Sequence, residues 1–526
     1  MTSLPIDPVL SCSQSLAFEK EFFGGDEERE WQVMNRAGEA IAESIRFDLG
    51  DFKNPERGGR LLVLVGKGHN GGDAVIAAKS LLLGNPALRA TIWPLAPETE
   101  CRPHVQRALQ EARQAVEDRM DELSPASECE DSEDLAETLR TALEEDGFLA
   151  MVDGLLGMQA KLPLRAPLKE WVALLNKETK LGVRFAVDLP TGLTGDCVES
   201  DEILRADFSY CTGIVKSPVL RADQAERVGR LRYLDLGFFE SSFVLEEEIS
   251  ASVLRSSALE VLRTQRPTLL DKRSFGHLLL LAGSRDYAGA AMMAAQAALK
   301  AGVGLLTVGI PESLHAAFAA QRPEAMWIPL PETPEGGLAL EGLGKVRSLL
   351  GRVTAFATGP GIGSDPESHA LIRETLSHFS GPAVLDADAL RAELLAEVCS
   401  PERLVLTPHA GEFERLAEGR LPEKYVEESR SVLVLKGPHT RVFAQDGCVH
   451  CLGGNASLAR GGSGDLLTGI IGGLLAKQPS DPRAAALLGV AWHARAGEIL
   501  NLLQGQESVF ATELLDYLSC SLDNDF

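Results

Sequence analysis

The chain has 526 residues and a formal net charge of −25, from 76 acidic and 51 basic side chains. One hydrophobic core does not organise a chain of this length, so we expect two domains of roughly 200–280 residues. The acidic balance and the lack of a basic tract argue against nucleic acid or an anionic membrane surface as a partner. A small phosphorylated ligand is still compatible, because backbone N–H groups bind phosphate even on an acidic protein.

Cysteine usage and the amino terminus indicate a cytoplasmic protein. The nine cysteines are scattered, and only Cys448-Val449-His450-Cys451 approaches a metal-binding pattern, without a second pair. We therefore interpret them as reduced thiols. The first residues lack a charged start followed by a long apolar stretch, and no run of 18 apolar residues occurs later, which predicts no membrane association.

The first half of the chain alternates predicted strands and helices. LLVLV at 61–65 predicts a buried strand, followed by the glycine loop GKGHNGG and the helical pattern DAVIAAKSLLLG. Strands predicted at 149–154 and 184–192 carry Asp153 and Asp188 near their carboxyl ends. Ligands bind at that edge of a parallel sheet, so both aspartates are candidates for a site. Apolar periodicity then weakens, which predicts a domain boundary near 245–250.

The second half repeats this alternation with different motifs. A strand, a glycine loop, an Ala-rich helix and another strand are predicted over 277–311, and more strands follow at 353–358, 383–385, 403–407 and 432–436. Such alternation predicts a doubly wound, mostly parallel sheet with helices on both faces. The loops TGPGIGSD, LDADAL, LTPHAGEFERL and LKGPHTRV follow these strands, so we expect them to converge on one edge of the sheet.

Three polar residues of this half are candidates for a site, and the first two each allow two interpretations. Asp465, in GGSGDLLTGIIGGLLAK, lies where a glycine turn meets a helix; it could cap that helix or act as a base toward a hydroxyl being phosphorylated. His409 could cap backbone groups or contact a ligand. Lys436 ends a buried strand, where an unpaired ammonium is costly, so a phosphate partner is favoured.

These motifs together carry a family resemblance. GPGIG, LDADAL, TPHAGEFERL, VLKGPHT and GNASLARGGSGDLLTGIIGGLLA, in this order over about 265–520, resemble the ribokinase-like dehydratase of the NAD(P)H-hydrate repair system. LLVLVGKGHNGGDAV, VDGLLG and VDLPTGL, over roughly 30–240, resemble its Rossmann-like epimerase. The resemblance implies two doubly wound three-layer α/β domains, 1–248 and 249–526, in the order of the bifunctional bacterial enzymes.

The implied reaction is the repair of NADHX and NADPHX, in which the nicotinamide ring of NADH or NADPH carries an extra hydroxyl at C6. The N-terminal domain would interconvert the R and S epimers with the help of K⁺. The C-terminal domain would use ADP with Mg²⁺ to dehydrate the S epimer, releasing AMP and phosphate. We also expect a homo-oligomer, with no nucleic acid or membrane among its partners.

The resemblance assigns roles to matching positions. In the epimerase-like domain it implies Asp188 as a catalytic candidate, Asn70, Asp153 and Thr191 as K⁺ ligands, and substrate contacts at His69, Asn70, Gly71, Gly72, Asp73, Gly157 and Asp188. In the dehydratase-like domain it implies Asp465 as the catalytic and substrate-contacting residue, substrate contacts at Ala290, Gly361 and His409, and nucleotide contacts at Lys436, Gly437, Pro438, His439, Thr440 and Gly464.

Two departures and one alternative accompany the resemblance. His69 and Ala74 stand where the epimerase motif usually has Asn and Gly, and Met158 and Gln159 interrupt the usual glycine loop after Gly157. We therefore expect an altered substrate loop at 157–163. The alternative function is a ribokinase-like kinase for a small, vitamin-like alcohol, with a non-catalytic N-terminal binding module.

Overall fold

A computed structural model describes residues 4–50, 58–143, 147–195, 202–240, 249–263, 269–396 and 398–523. The chain divides into two compact units: Asp7–Ile249, and Ser250–Phe526 together with the chain up to Ile6. Residue 248, the last of the predicted first domain, lies outside the described residues. Within the described ranges no helix has the length and apolar character needed to cross a bilayer.

The first unit is built on a seven-stranded parallel sheet with the order β4-β3-β2-β5-β6-β7-β9. A separate parallel pair joins β1 to β8. The strands are β1 (Ile6–Leu10), β2 (Gly59–Val65), β3 (Leu88–Pro94), β4 (Met120–Glu122), β5 (Ala150–Gly154), β6 (Val183–Val187), β7 (Phe208–Thr212), β8 (Val215–Lys216) and β9 (Arg230–Leu234). The helices are α1 (Cys12–Phe23), α2 (Glu27–Leu49), α3 (His69–Gly84), α4 (Pro103–Val116), α5 (Ser132–Leu143), α6 (Leu168–Lys177) and α7 (Ala225–Val228).

This sheet is buried on both faces, which explains the unbroken apolar run of its strands. In β2, Leu61 and Val63 join the core on one face, whereas Leu62 and Leu64 join the core on the other. From β2 the chain first adds strands on one side and then returns to add β5 on the other. The switch point between β2 and β5 is where ligands bind in such sheets.

The second unit is built on a ten-strand run with the order β13-β12-β11-β14-β15-β16-β17-β18-β19-β10. Its strands are β10 (Ala251–Leu254), β11 (His277–Leu281), β12 (Leu305–Pro311), β13 (Met326–Leu330), β14 (Ala355–Thr358), β15 (Ala383–Leu385), β16 (Leu404–Leu406), β17 (Val432–Leu435), β18 (Thr440–Ala444) and β19 (Gly447–Cys451). Its helices are α8 (Ala288–Lys300), α9 (His315–Gln321), α10 (Leu343–Leu350), α11 (Pro366–Leu376), α12 (Ala392–Leu395), α13 (Ala410–Ala417), α14 (Pro422–Ser429), α15 (Ser463–Lys477), α16 (Pro482–Gln504) and α17 (Leu514–Tyr517).

The strands of the second unit pair in parallel except around β18, which is antiparallel to β17 and β19. Leu278 and Leu280 of β11 face one core, and Leu279 and Leu281 face the other. Helices therefore cover both faces of each sheet. The predicted class, two doubly wound three-layer α/β domains, is confirmed, as are the strands predicted at 353–358, 383–385, 403–407 and 432–436.

Helices α8 and α15 pack unusually closely because glycines replace side chains at their contact. A Cβ on Gly469 would lie 2.2 Å from the carbonyl oxygen of Ala294, and one on Gly473 would lie 2.9 Å from the Cβ of Ala301. No real Cβ tolerates the first distance, so only glycine allows this approach. The contact fixes the start of α15, and with it Asp465, over the carboxyl edge of the sheet.

Candidate active sites

At the switch point of the first unit, two glycine loops touch. The N–H of Gly66 donates to the carbonyl of Gly154 at 3.0 Å. A Cβ on Gly66 would lie 1.8 Å from the carbonyl oxygen of Leu155, so no other residue fits there. Helix α3 begins at His69 directly after this loop, with Gly68 in place of a capping side chain. The amino-terminal end of α3 therefore lies beside the switch point.

The three predicted K⁺ ligands lie around the loop after β5. Thr191 donates to Asp153 twice, from its hydroxyl and from its backbone N–H, both at 2.7 Å. The amide nitrogen of Asn70 donates to the carbonyls of Leu156 at 3.3 Å and Val187 at 2.8 Å, which leaves its oxygen for another partner. The predicted substrate contact Gly157 lies against the same amide, since a Cβ there would be 2.8 Å from the Asn70 oxygen.

Asp153 has the electrostatics of a cation ligand. It is fully buried, and burial raises its pKa to about 6 despite the hydrogen bonds from Thr191 and Leu155. No cationic side chain of the described residues forms an ion pair with it. A hard monovalent cation with oxygen ligands would compensate this carboxylate, so the residues present fit K⁺.

A cleft of about 100 Å³ opens beside these loops. Four of the predicted substrate contacts line it: His69, Asn70, Asp73 and Asp188. Met158, the residue that interrupts the family's glycine loop, lines it as well. The predicted contacts Gly71 and Gly72 are buried in the first turn of α3, and neither is among the residues lining the cleft.

Asp188 is bound to a lysine that sequence inspection did not single out. The ammonium of Lys216 lies 2.6 Å from a carboxylate oxygen of Asp188, and the two side chains are only 2% and 6% exposed. Burial acts to lower the pKa of Lys216, but the Asp188 and Glu19 carboxylates outweigh it and raise that pKa. Asp188 also adopts a left-handed backbone conformation with φ of 66°, a strained state that clusters at functional sites.

Burial favours the neutral form of two other cleft residues. Burial, together with the charge of Asp188, raises the pKa of Asp73 well above its usual range. Burial and the Arg102 guanidinium lower the pKa of His69 to about 4. The Nε2 atom of His69 lies 3.2 Å from Arg102. The replacement of the family's Asn by His69 therefore retains an uncharged polar group at this position.

In the second unit, Ala290 and Gly361 lie together at the switch point between β11 and β14. The N–H of Gly283 donates to the carbonyl of Pro360 at 2.8 Å, which joins the two loops. A Cβ on Gly361 would lie 2.4 Å from the carbonyl oxygen of Tyr287 and 3.0 Å from the Cβ of Ala290. The two predicted substrate contacts are therefore neighbours in space, although 71 positions separate them in the chain.

Asp386, which follows β15 in the LDADAL motif, is the centre of a polar cluster. It accepts hydrogen bonds from Thr407 at 2.9 Å, from Thr468 at 2.8 Å and from the ammonium of Lys436 at 2.8 Å. These donors follow β16, lie in α15 and follow β17, respectively. Lys436 is therefore paired, and the premise that its ammonium would lack a protein partner is wrong.

His409 caps helix α13, as one of its two interpretations suggested. Its Nδ1 atom accepts from the N–H groups of Gly411 and Glu412, and the Glu412 carboxylate accepts from the N–H of His409. Its side chain is still 58% exposed, so capping does not prevent a ligand contact through the outer ring atoms. Glu412 also lies 3.9 Å from the ammonium of Lys436, which brings a second carboxylate toward the cluster.

Asp465 is not the N-cap of α15. Gly462 occupies that position with φ of 93°, and Asp465 is the third residue of the first turn. Burial, followed by the nearby charge of Asp386, raises its pKa to about 6, and Lys436 only partly opposes this. A carboxylate with such a pKa is ionised at pH 7 yet still basic enough to accept a proton, which suits a general base.

Gly464 and the loop after β17 border the same cluster. A Cβ on Gly464 would lie 3.4 Å from the Lys436 ammonium and 3.5 Å from Asp386. The backbone N–H of Lys436 donates to Pro408, so the Lys436–Thr440 loop runs beside the loop that carries His409. Burial lowers the pKa of His439, so this loop residue is uncharged at neutral pH. The predicted nucleotide contacts thus adjoin Asp386 and Asp465.

The carboxylates of this cluster fit Mg²⁺. Mg²⁺ in nucleotide sites is usually held by one or two carboxylates together with the phosphates. Asp386 and Glu412 lie 2.8 and 3.9 Å from the Lys436 ammonium, and the described residues contain no group of three or more metal-binding side chains, so the phosphates would supply the remaining ligands. Asp386 and Glu412 belong to the motifs LDADAL and LTPHAGEFERL, which assigned them no role. Asp386 directly follows β15, and Glu412 lies in the first turn of α13.

Comparison with known proteins gives a match for each unit. Residues 278–519 match the family described as NAD(P)H-hydrate dehydratase, and residues 30–217 match the family described as YjeF-related protein N-terminus. Each match lies within one of the two compact units.

Curated relatives align with nearly the whole chain. The bifunctional NAD(P)H-hydrate repair enzyme Nnr of Moorella thermoacetica is 34% identical over 511 residues, covering 94% of this chain and 92% of the relative. The enzyme of the same name from Gloeobacter violaceus is 35% identical over 490 residues, covering 89% of each. A solved ADP/ATP-dependent NAD(P)H-hydrate dehydratase from Bacillus subtilis, co-crystallised with ATP and Mg²⁺, is 30% identical and covers 51% of this chain and 96% of that chain, with a TM-score of 0.44.

Proposed function

The chain belongs to the family of bifunctional NAD(P)H-hydrate repair enzymes, and from this premise we propose that it returns NADHX and NADPHX to NADH and NADPH. The first unit epimerises the C6 hydroxyl, and the second dehydrates the S epimer with consumption of ADP. The observation that carries the proposal is Asp465, a half-buried carboxylate with a pKa near 6 at the start of α15, beside the Lys436–Asp386 pair.

In the dehydratase unit, Asp465 removes the proton of the C6 hydroxyl. The hydroxyl oxygen attacks the β-phosphorus of ADP at the same time, and AMP leaves. The amides at the start of α15 and the ammonium of Lys436 compensate the charge that develops on the transferred phosphoryl group. The C6–O bond then breaks as phosphate departs, and loss of the C5 proton restores the double bond of the ring.

Asp386 and Glu412 would hold Mg²⁺ in this unit, and the ion would neutralise the ADP phosphates. Asp386 would at the same time keep Lys436 in place, because one of its oxygens accepts the lysine and the other accepts Thr468. His409, Ala290 and Gly361 would contact the hydrated nucleotide.

In the epimerase unit, the cleft beside Asp188 would hold the hydrated nicotinamide ring. The amino-terminal end of α3, which begins at His69, would bind an anionic part of the substrate, as helix N-termini commonly do. K⁺ bound by Asn70, Asp153 and Thr191 would fix the loops after β5 and β6 on the two sides of the cleft. Support for this ion comes from the uncompensated, buried charge of Asp153.

The experiment is to incubate the purified full chain with NADHX, ADP and Mg²⁺ and to follow the absorbance of reduced nicotinamide. We expect recovery of absorbance together with release of phosphate and AMP. A stable phosphorylated product without recovery would instead support the small-molecule kinase. No turnover with either ADP or ATP would reject the dehydratase proposal.

Assays with each epimer alone distinguish the activities of the two units. The wild-type chain is expected to consume both R-NADHX and S-NADHX, because the first unit supplies the second with the S form. Consumption of the S epimer alone would reject the epimerase and favour a non-catalytic N-terminal module. We also propose a homo-oligomer in the cytoplasm, where NADH and NADPH are used; sedimentation of the purified chain tests the oligomeric state.

A further inference from the structure

Glu19, on the amino-terminal helix α1, lies at the epimerase cleft without any motif to mark it. The helix starts with a capping box, in which Ser11 and Gln14 each bond the other's backbone N–H. Phe18, the residue directly before Glu19, is 1% exposed and packs on Phe239 with ring centroids 4.9 Å apart. This aromatic anchor fixes α1, and Glu19 then lines the cleft together with Asp188 and Lys216.

The ionisable groups of the cleft do not balance as fully charged species. Four carboxyl side chains line the cleft, Glu19, Glu30, Asp73 and Asp188, and the one ammonium among the lining residues is that of Lys216. Glu30 lies toward the imidazoles of His69 and His104. Asp188 holds this ammonium directly at 2.6 Å. Neither Glu19 nor Asp73 has a hydrogen-bond partner among the described residues. Burial therefore raises the pKa of both unpaired acids.

Glu19, Asp73 and Asp188 differ in their surroundings. Asp73 is buried, and burial raises its pKa well above the usual range. Asp188 accepts a hydrogen bond from the Lys216 ammonium. Burial raises the pKa of Glu19 to about 7, with Lys216 opposing and Asp188 and Glu30 reinforcing the shift. Of the three, Glu19 combines access to the cleft with both protonation states near neutrality.

We propose that Glu19 is the proton-transfer residue of the epimerase, giving a proton to the departing C6 hydroxyl and taking it back from the returning water. This inference rests on the proposed epimerase activity and assigns to Glu19 the role that the strand-end carboxylate Asp188 was expected to fill. The Asp188 carboxylate already accepts a hydrogen bond from the Lys216 ammonium at 2.6 Å, whereas the Glu19 carboxyl group faces the cleft and can donate when protonated.

Loss and return of the C6 hydroxyl each move one proton between the substrate and Glu19. Glu19 donates its proton to the C6 hydroxyl oxygen, the C6–O bond breaks, and the electron pair of the ring nitrogen forms a C6=N bond as water leaves. Water then adds to the opposite face of C6, the C6=N pair returns to nitrogen, and the proton passes to the Glu19 carboxylate. The Asp188 carboxylate lies close enough to the cleft to stabilise the cationic ring in between.

The other charged groups that face Glu19 set the expected pH dependence. They are Glu30 on α2, His69 and Asp73 on α3, Asp188 after β6 and Lys216 on β8. His69 has a pKa of about 4 and stays neutral, so it does not titrate near pH 7. Because protonated Glu19 begins the reaction, the epimerisation rate should fall as pH rises through about 7.

The test measures epimerisation of R-NADHX by the full-length chain from pH 5.5 to 9, with the spontaneous rate subtracted. The wild type should show one inflection near pH 7. In Glu19→Gln we expect a loss of about 100-fold or more and no inflection, since general acid–base catalysis contributes about 10²–10⁴-fold. Glu19→Asp, which keeps a carboxyl group, should restore part of the rate and the inflection.

Glu21→Gln is the matched control, because Glu21 lies on the same helix and is exposed to solvent. It should keep the wild-type rate and inflection. Thermal unfolding of each variant reports whether the first unit is folded, and the pH profile of the wild type and of Glu19→Asp tests the proposal even if Glu19→Gln does not fold.

The outcomes separate this inference from the proposed function. If the wild type does not epimerise at any pH, the epimerase itself is rejected and the role of Glu19 with it. If the wild type epimerises and Glu19→Gln keeps its rate and its inflection, only the role of Glu19 is rejected. If Glu19→Gln lowers the epimerisation rate equally at every pH and keeps the inflection, the role of Glu19 in proton transfer is also rejected, because a merely structural role predicts that result.

Discussion

Replacing Asp465 by Asn should abolish dehydration and, above neutral pH, stabilise the second unit. Asp465 carries a pKa of about 6 in the folded chain against 3.8 ordinarily, because burial and Asp386 both disfavour its charge. Below about pH 4 it is protonated in both the folded and unfolded states and costs nothing. As pH rises from about 4 to 6, Asp465 ionises in the unfolded state before it does in the folded state. The free energy of unfolding therefore falls over this range.

The size of the effect follows from this pKa difference. A rise from 3.8 to about 6 corresponds to about 3 kcal/mol of folding free energy lost once pH exceeds the folded pKa. This is an upper value, because Asp465 is partly exposed and solvent screens its charge. Asn cannot ionise, so the variant should gain up to about 3 kcal/mol at pH 7–8 and nothing near pH 4.

The assay is thermal unfolding of wild type and Asp465→Asn at pH 4 to 8, following the transition that ADP shifts. Each kcal/mol moves the midpoint by about 2–4 °C for a domain of this size. Epimerisation should be retained while dehydration is lost. A variant less stable than wild type at pH 8, or a stability difference that does not change with pH, would refute the reasoning about Asp465.

Three other substitutions probe the fold and the first site. Asp188→Asn should cost about 3–5 kcal/mol in denaturant unfolding by leaving the buried ammonium of Lys216 unpaired, and adding Lys216→Met should recover part of this; a larger loss in the double variant would contradict the pairing. Thr191→Ala should weaken the response of epimerisation to K⁺, and Thr191→Ser should keep it; equal K⁺ titrations in all three proteins would argue against the ion. Gly469→Ala places a Cβ 2.2 Å from a carbonyl oxygen of α8 and should destabilise by about 1–3 kcal/mol or more, whereas Gly344→Ala, in open space, should not; similar melting of the two variants would count against the close helix contact.

Much of the fold could be predicted from local patterns. The apolar run at 61–65 and those that became β14 to β17 are buried on both sides, so they are continuous and easily recognised. Glycine loops after strands marked the switch points, because close contacts such as that of Gly66 with the next loop exclude any side chain. Ordered motifs then identified the family over both halves.

The site was only partly predictable for a physical reason. Asp465 and Asp188 were singled out by their positions next to a glycine turn and a strand end. Their partners could not be: Asp386 reaches Asp465 and Lys436 from another strand, and Lys216 meets Asp188 from β8. Nothing in the local sequence of a residue specifies which distant charge will lie within a few ångströms of it.

The sequence by itself determined the two α/β domains, their order, the family and the loops that reach each site, because hydrophobic runs, glycines and motif spacing act locally along the chain. The tertiary structure alone decided the pKa values and partners of the ionisable groups. Burial and Coulomb interactions depend on spatial distance, so only folding shows that Asp465 lies at the start of α15 as a weak base, not as a cap, and that Glu19 shares a cleft with Asp188 and Lys216.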